Sequence, residues 1–408
     1  MNLSTYFNYE NGFVTYGLTD ELIAFYVLEL FKQKNENVIL VTSNLYESNK
    51  LFNLIKTYTD DCSIFPMDDF VTSAVIAMSP EFKLGRLNVL ERLSHKKEII
   101  ITNLMGYLKY LPNKKINNNI NLTKDIKINR EDFINKLTDF GYKRETMVTT
   151  TGEFSVRGFM IDVYLVNEVH PVRIEFFGND IESIRYFDEN TQRTLEEINK
   201  IIIKPFEEIE TFEKSSLYDY SNNGIVVYLN KEQINLSYEK INQEFFSYQE
   251  NNNSVEKFMF DLDEIKPKYE LYIDTINNPS DFVTYSIPAF NEDLELLKDN
   301  VFKWEKEGKE VYFYLTKERE IKNIKSLIPN AKIVNMPLNK GFIIDKYVCI
   351  SEEDIGIHVK KDIKYINNLR IGKKIKSYND LEKGDYVVHI NHGIGIYNGL
   401  VTLTKDGL

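Results

Sequence analysis

Strict two-residue alternation over residues 159–188 dictates paired β-strands at the centre of this chain. In Phe159-Met160-Ile161-Asp162-Val163-Tyr164, the residues Phe159, Ile161 and Val163 share one face. In Val172-Arg173-Ile174-Glu175-Phe176-Phe177, one face carries Val172, Ile174 and Phe176 and the other Arg173, Glu175 and Phe177. Gly178-Asn179-Asp180 supplies a tight turn, because Gly and Asn tolerate positive φ, and Ile181 to Asp188 returns as the next strand. A core on the Val172 face leaves Phe177 outside beside an arginine. Two readings are open. A helix or loop of the same chain covers the ring, or a partner does, since arginine and aromatic side chains are the usual interface anchors.

At 408 residues the chain has room for two to four domains. Its 43% hydrophobic and 27% charged content is that of a globular protein. No run of about 18 apolar residues marks a membrane span. The start, MNLSTYFNYENG, has no basic stretch before an apolar one, so no signal peptide is expected and the location is read as cytoplasmic. A net charge of −12 and a pI of about 5.2 argue against a primary nucleic-acid binder, which usually presents a basic surface. Cys62 and Cys349 lie far apart without a CxxC, so neither a disulfide framework nor a zinc site is expected.

Residues 1–117 alternate strand and helix, the pattern of a parallel α/β sheet. A short strand at Gly12–Thr19 runs into a helix at Asp20–Lys32, a position where a phosphate-binding loop sits. Such a loop needs GxxxxGK[ST], whose glycines expose backbone N–H groups and whose lysine reaches the phosphates. Here the turn is GLTDEL. Gly17 and Thr19 are present, the lysine is missing, and Asp20 and Glu21 put negative charge where phosphates would lie. Nucleotide hydrolysis is not expected here.

Further along, a helix is expected over 129–139, strands over 198–204 and 224–229, a helix over 235–248 and two short extended pieces within 258–274. From Ser286 a small α/β pattern restarts, with helices over 291–307 and 317–327 and strands at 311–315, 332–334, 341–344 and 347–350. Residues 358–378 are rich in lysine with a single aspartate. They read either as a solvated linker or as a contact for nucleic acid or an acidic protein face. His389 and His392 have no third or fourth ligand nearby, so turn and strand hydrogen bonding is expected rather than a metal.

Several of these segments carry a family resemblance. GEFSVRGFMIDVY, PVRIEFFGNDIESIRYFD and TQRT resemble the second domain of the excision-repair protein UvrB and its counterpart in the bacterial transcription-repair coupling factor (Mfd) family. UvrB carries an intact phosphate loop and a long Tyr-rich DNA-gripping hairpin, neither of which is visible here. Asn44-Leu45-Tyr46, Phe65-Pro66 and the run Ser79 to Leu87 also resemble the coupling factors. LEKGDYVVHINHGIGIYNGL resembles the start of their RNA-polymerase-interacting domain, a small β-barrel shared with CarD-type regulators; Ile396 departs from the basic residue usual there.

The resemblance implies an α/β multidomain fold. A degenerate P-loop-type parallel α/β domain would span 1–117 and 209–282, with an inserted α+β UvrA-binding module at 118–208. A second small α/β domain would span 283–357, a basic linker 358–380 and a truncated β-barrel start 381–408. The resemblance places UvrA contacts on Arg157, Arg173 and Phe177. It places the start of a contact with RNA polymerase, through its β subunit, on Tyr386, His389, His392, Gly393, Gly395 and Tyr397. On the residues alone Arg157 reads as a turn residue paired with an acid such as Glu153; the resemblance makes it a contact. This segment would bind no cofactor or metal and do no chemistry. In the full-length family member a further motor would bind ATP, Mg²⁺ and DNA and push polymerase stalled at DNA lesions off as an ATP-dependent translocase, and the protein would recruit the excision-repair machinery through UvrA. The alternatives are a UvrB-like ATP-dependent helicase subunit, opposed by the missing lysine and hairpin, and a motor-less adaptor with a CarD-like tail. The reading frame beyond Leu408 would separate the last from the first.

Overall fold

The computed structural model describes residues 5–356, apart from 70–79, 115–118, 125, 167, 207, 209–211, 252–256 and 277–283, together with the strands 386–389 and 393–396. The chain divides into two compact units. One comprises residues 1–120, 139–141 and 203–366, and the other 121–138, 142–202 and 367–408.

The first unit begins with Val14–Tyr16 (β1), Asp20–Lys34 (α1), Val38–Thr42 (β2), Leu45–Lys56 (α2), Cys62–Phe65 (β3), Pro80–Arg92 (α3), Ile99–Asn103 (β4) and Leu104–Leu108 (α4). Continuous apolar runs rich in β-branched residues, such as Val38-Ile39-Leu40-Val41, suit strands covered on both faces, and every residue of β2 and β4 is buried. The intervening elements Ile120–Thr123 (β5), Arg130–Asp139 (α5), Lys143–Arg144 (β6), Glu153–Arg157 (β7), Met160–Val163 (β8), Val172–Phe177 (β9), Asp180–Phe187 (β10), Thr194–Ile198 (β11) and Lys200–Ile203 (β12) make up the insertion and its stem. Leu217–Tyr220 (α6), Ile225–Leu229 (β13), Lys231–Asn251 (α7) and Glu270–Asp274 (β14) then complete the first sheet. Its order is β1-β14-β13-β2-β4-β3, and every neighbouring pair is parallel. Segments from both sides of the insertion are therefore interleaved in one sheet.

Asn37 organises the point where they meet. Its Nδ2 donates to Ser221 O at 2.8 Å, its Oδ1 accepts from Glu98 N at 2.8 Å, and its carbonyl accepts from Ile225 N at 2.8 Å. Gly224 passes so close that a Cβ there would lie 2.4 Å from Asn37 O, which only glycine avoids.

The third stretch runs through Thr284–Ser286 (β15), Leu294–Lys306 (α8), Glu310–Tyr314 (β16), Glu318–Leu327 (α9), Lys332–Val334 (β17), Phe342–Ile344 (β18), Tyr347–Ser351 (β19) and Glu352–Ile355 (α10). Its five strands form a mixed sheet in the order β15-β18-β19-β16-β17. Leu338, Phe342, Ile344 and Cys349 join the same apolar cluster as Leu22, Leu30, Leu40 and Ile101 of the first sheet's layer. Tyr386–His389 (β20) and Gly393–Ile396 (β21) pair as an antiparallel hairpin, and no closed barrel occurs among the described residues.

In the second unit the sheet order is β11-β10-β9-β8-β7-β6. Val172, Ile174 and Phe176 are buried, as the alternation predicts, and the Phe176 ring lies 6.0 Å from Phe133 of α5. Phe159 departs from the prediction. It sits at the β7–β8 turn after Gly158 and is 76% exposed, because β8 starts only at Met160 and the core ends before it. The strand expected over 198–204 is β12, paired with β5, and it is preceded by β11, paired with β10. Of the two extended pieces expected within 258–274, only β14 is a strand; Met259 makes a single bridge to Lys109. Helices α3 and α4 add to the elements expected from the sequence.

Within the first unit Glu208 joins α3 to α4. Arg86 is fully buried and donates from Nε to Glu208 at 2.6 Å, while Lys109 Nζ lies 3.3 Å from the same carboxylate. Burial works to raise the Glu208 pKa, but the charges of Arg86 and Lys109 outweigh it and hold the group below the ordinary carboxylate range. A depressed folded pKa contributes stability that is present above the unfolded value, near 4.5, and is lost as pH falls through the folded one. Glu208→Gln should cost about 3–5 kcal/mol at pH 7, since it breaks the buried pairs with Arg86 and Lys109. In urea unfolding followed from pH 7 to pH 3, the gap from wild type should close below about pH 4.5.

Candidate functional site

The sheet face opposite α5 holds the polar residues of β7 to β10. Pairing sets Ser155 opposite Asp162, Asp162 opposite Arg173 and Arg173 opposite Arg185, so these lie in one row across the sheet. The next row runs Arg157, Met160, Glu175, Ser183. Phe177 lies on the same face, about 13 Å beyond Arg173 at ~3.3 Å per residue.

Asp162 is the hub. Its carboxylate is 1% exposed, accepts from Arg173 Nε at 2.7 Å and from Arg173 Nη2 at 2.9 Å, and also accepts from Arg157 Nη2. Gln192 Oε1 accepts from Arg173 at 2.9 Å and from Arg157 at 3.2 Å. The Arg173 guanidinium lies 4.3 Å above the Phe187 ring, a cation–π contact. The bonds to Asp162 raise the Arg173 pKa further, against the lowering effect of its burial. Glu175 is tied separately. Ser183 Oγ donates to it at 2.6 Å and Arg185 binds both its oxygens; the Ser183 bond and then Arg185 hold it below the usual carboxylate range.

The hairpin loop after β10 brings Gln192 into place. Asp188 accepts from Asn190 N at 3.0 Å and Thr191 N at 2.6 Å, an Asx turn. Gln192 adopts φ +60° and donates from Nε2 to Glu189 O at 3.0 Å, which aims its oxygen at the two arginines.

Of the three residues expected to meet a partner, Phe177 is 78% exposed, Arg157 is partly exposed, and Arg173 is only 9% exposed. An open Arg173 beside Phe177 is thus corrected: it shares the face, but Asp162, Gln192 and the Phe187 ring enclose it. Arg157 pairs with Asp162, not with Glu153. The Glu153 carboxylate accepts instead from Thr149 N at 2.7 Å and Thr150 N at 2.8 Å. Burial opposes these bonds, yet Glu153 ends below its ordinary pKa. Exposed Phe159, two residues from Arg157, and the bridging Gln192 are the residues that sequence reasoning missed. Gln192 lay within TQRT, but nothing in that motif told its role.

At the turn after β1, Gly17 has φ +71° and Thr19 caps α1 without a side-chain bond. Asp20 pairs with Lys50 at 2.5 Å. Glu21 points inward and is 3% exposed, accepting from Asn339 N at 2.9 Å and from the Tyr58 hydroxyl. Burial first, and then the Glu21 charge, push the Tyr58 pKa far up. The Thr284 hydroxyl donates to Gly17 O. The third stretch of the chain thus lies against the first turn of α1.

Tyr386 and His389 lie in β20, and Gly393 and Gly395 in β21; His392, Tyr397 and the basic 358–380 segment lie outside the described residues. Cys62 and Cys349 are buried and form no disulfide with one another, and burial pushes both thiols up to about 12. Among the described residues no cluster of His, Cys, Asp and Glu could hold a metal ion, and no helix is long and apolar enough to cross a membrane.

With this geometry in hand, comparison with known proteins adds two domain matches. Residues 120–208 match the UvrB interaction domain, and residues 381–407 the CarD-like/TRCF RID domain. The chain is 24% identical to the transcription-repair-coupling factor of Bacillus subtilis, over 96% of this chain and 42% of that protein. It is 25% and 26% identical to those of Staphylococcus aureus and Staphylococcus epidermidis, over 98% of this chain and 43% of each. It therefore spans about two fifths of the length of the curated relatives it matches.

The two sides of the face should respond differently to truncation. Phe177→Ala should stay within about 0.5 kcal/mol of wild type, as a surface change does. Arg173→Ala removes one partner of a buried pair and should cost about 3–5 kcal/mol. Urea unfolding of both variants checks this; equal stability would mean that Arg173 is not held as described.

Proposed function

We propose that this chain, a member of the transcription-repair-coupling factor family, supplies the surface through which such a factor engages the excision-repair protein UvrA. The observation that carries the reading is an exposed aromatic, Phe177, on the same sheet face as a fixed arginine pair, inside the segment that matches the UvrB interaction domain. One carboxylate shared by two guanidiniums leaves a net positive charge, which suits an acidic partner face, and the ring supplies apolar area. The match at 381–407 supports a second contact, with RNA polymerase, and the β subunit is the part of it that we propose is met.

In this reading the segment does no chemistry. Displacement of stalled polymerase, ATP hydrolysis and DNA translocation belong to parts of the longer relatives that this chain does not span. The turn after β1 is a phosphate loop that has lost its function: Glu21 holds Asn339 and Tyr58 where a phosphate-binding lysine would work, and Thr284 closes on Gly17. We take the cytoplasm as its place of action, since the proposed partners work on DNA and its transcription.

Calorimetric titration with UvrA tests the surface. Phe177→Ala should weaken binding about thirtyfold, in keeping with ~2 kcal/mol for an interface anchor, without a change in melting temperature. Arg157→Glu should weaken it more, because it adds repulsion. Wild-type affinity in both folded variants would place UvrA elsewhere. Titration with Mg-ATP should give no tight binding; a micromolar isotherm would overturn the reading of the turn.

A further inference from the structure

We propose that Asp162 is the positioning residue of this face, holding Arg157 in the orientation in which it meets its partner. The proposal rests on the reading of the surface as the UvrA contact. Asp162 is too buried to touch a partner itself, at 1% exposure, yet every charged bond of Arg157 runs to it. Arg173 grips the same carboxylate through two nitrogens, and its own guanidinium is pinned against Phe187 and Gln192. The carboxylate is therefore immobile, and Arg157 is fixed through it and through Gln192.

That fixation matters because arginine has a large rotamer entropy, which an unrestrained side chain loses on binding. Holding the side chain before the partner arrives removes that loss from the binding step. The remaining terminal nitrogen of Arg157, Nη1, makes no hydrogen bond among the described residues, and the side chain is 38% exposed. It is free to donate outward. The other charges in its row do not compete for it, since Glu175 is bound by Ser183 and Arg185. Asp162 and Gln192 thus supply alignment, and Arg157 supplies the contact.

The experiment is a double-mutant cycle read by calorimetric titration of UvrA into the full chain, with a thermal melt of each variant. Asp162→Asn keeps the shape but removes the charge. It should weaken UvrA binding about tenfold in the wild-type background and less than twofold in the Arg157→Met background, because its effect travels through Arg157. Where Asp162→Asn does not fold, Gln192→Asn serves instead: Asn tolerates the left-handed backbone, and its shorter amide withdraws from both arginines. It should show a several-fold loss that likewise vanishes without Arg157. Wild-type binding by the folded variant, or an equal loss in both backgrounds, overturns the proposal and leaves Asp162 as part of a structural ion pair. If Arg157→Met and Phe177→Ala bind UvrA as wild type does, the surface reading itself fails and the positioning role falls with it.

Discussion

Strand β13 is the constraint on which the first unit depends. It pairs with β2 on one edge and β14 on the other, so the middle of a six-stranded parallel sheet is made by residues that follow the insertion. Residues 1–117 supply β1 to β4 but cannot close that sheet, because β1 reaches the rest only through β14. Parallel strands also need coverage on both faces, and the insertion must leave and return without disturbing it. Asn37 and Gly224 show how tightly the return is fixed: one amide bonds Ser221 and Glu98 at once, and the incoming backbone passes where no Cβ fits.

The inserted unit uses its two sheet faces differently. One is an apolar core against α5. The other buries polar side chains, which is costly unless every charge is matched. Asp162 neutralises one of the two guanidiniums it binds, the other, Arg157, being partly exposed to water, and Glu175 pairs with Arg185. The result is a face on which charge is rigid and already partly desolvated, while Phe177 at its end stays open.

The turn after β1 is closed by the chain's own side chains. A glycine with positive φ followed by a helix start exposes backbone groups that elsewhere bind phosphate. Here side chains of the chain itself meet that region, as Thr284 bonds the Gly17 carbonyl and Asn339 bonds Glu21. Cohesion comes from the apolar cluster that Phe342, Ile344 and Cys349 share with α1 and the first sheet. The role of the third stretch is in part this packing.

Much of this was legible in the sequence, for a physical reason. Alternation and β-branched runs are local properties, so strands such as 38–42, 172–177 and 332–334, the outward aim of Phe177 and the missing lysine of the turn were all readable from the residues. Which charges neutralise one another is not local. Arg157 could have paired with Glu153 a short way back; instead the hairpin register sets Asp162 between Arg157 and Arg173, and a loop 30 residues on delivers Gln192. Arg173 has the parity of an open-face residue, and only the folded loop encloses it. Phe159 has the parity of a core residue, and only the end of the core leaves it out. Sequence determined which face each side chain takes; tertiary structure decided what lies over that face, because coverage comes from segments distant in the chain.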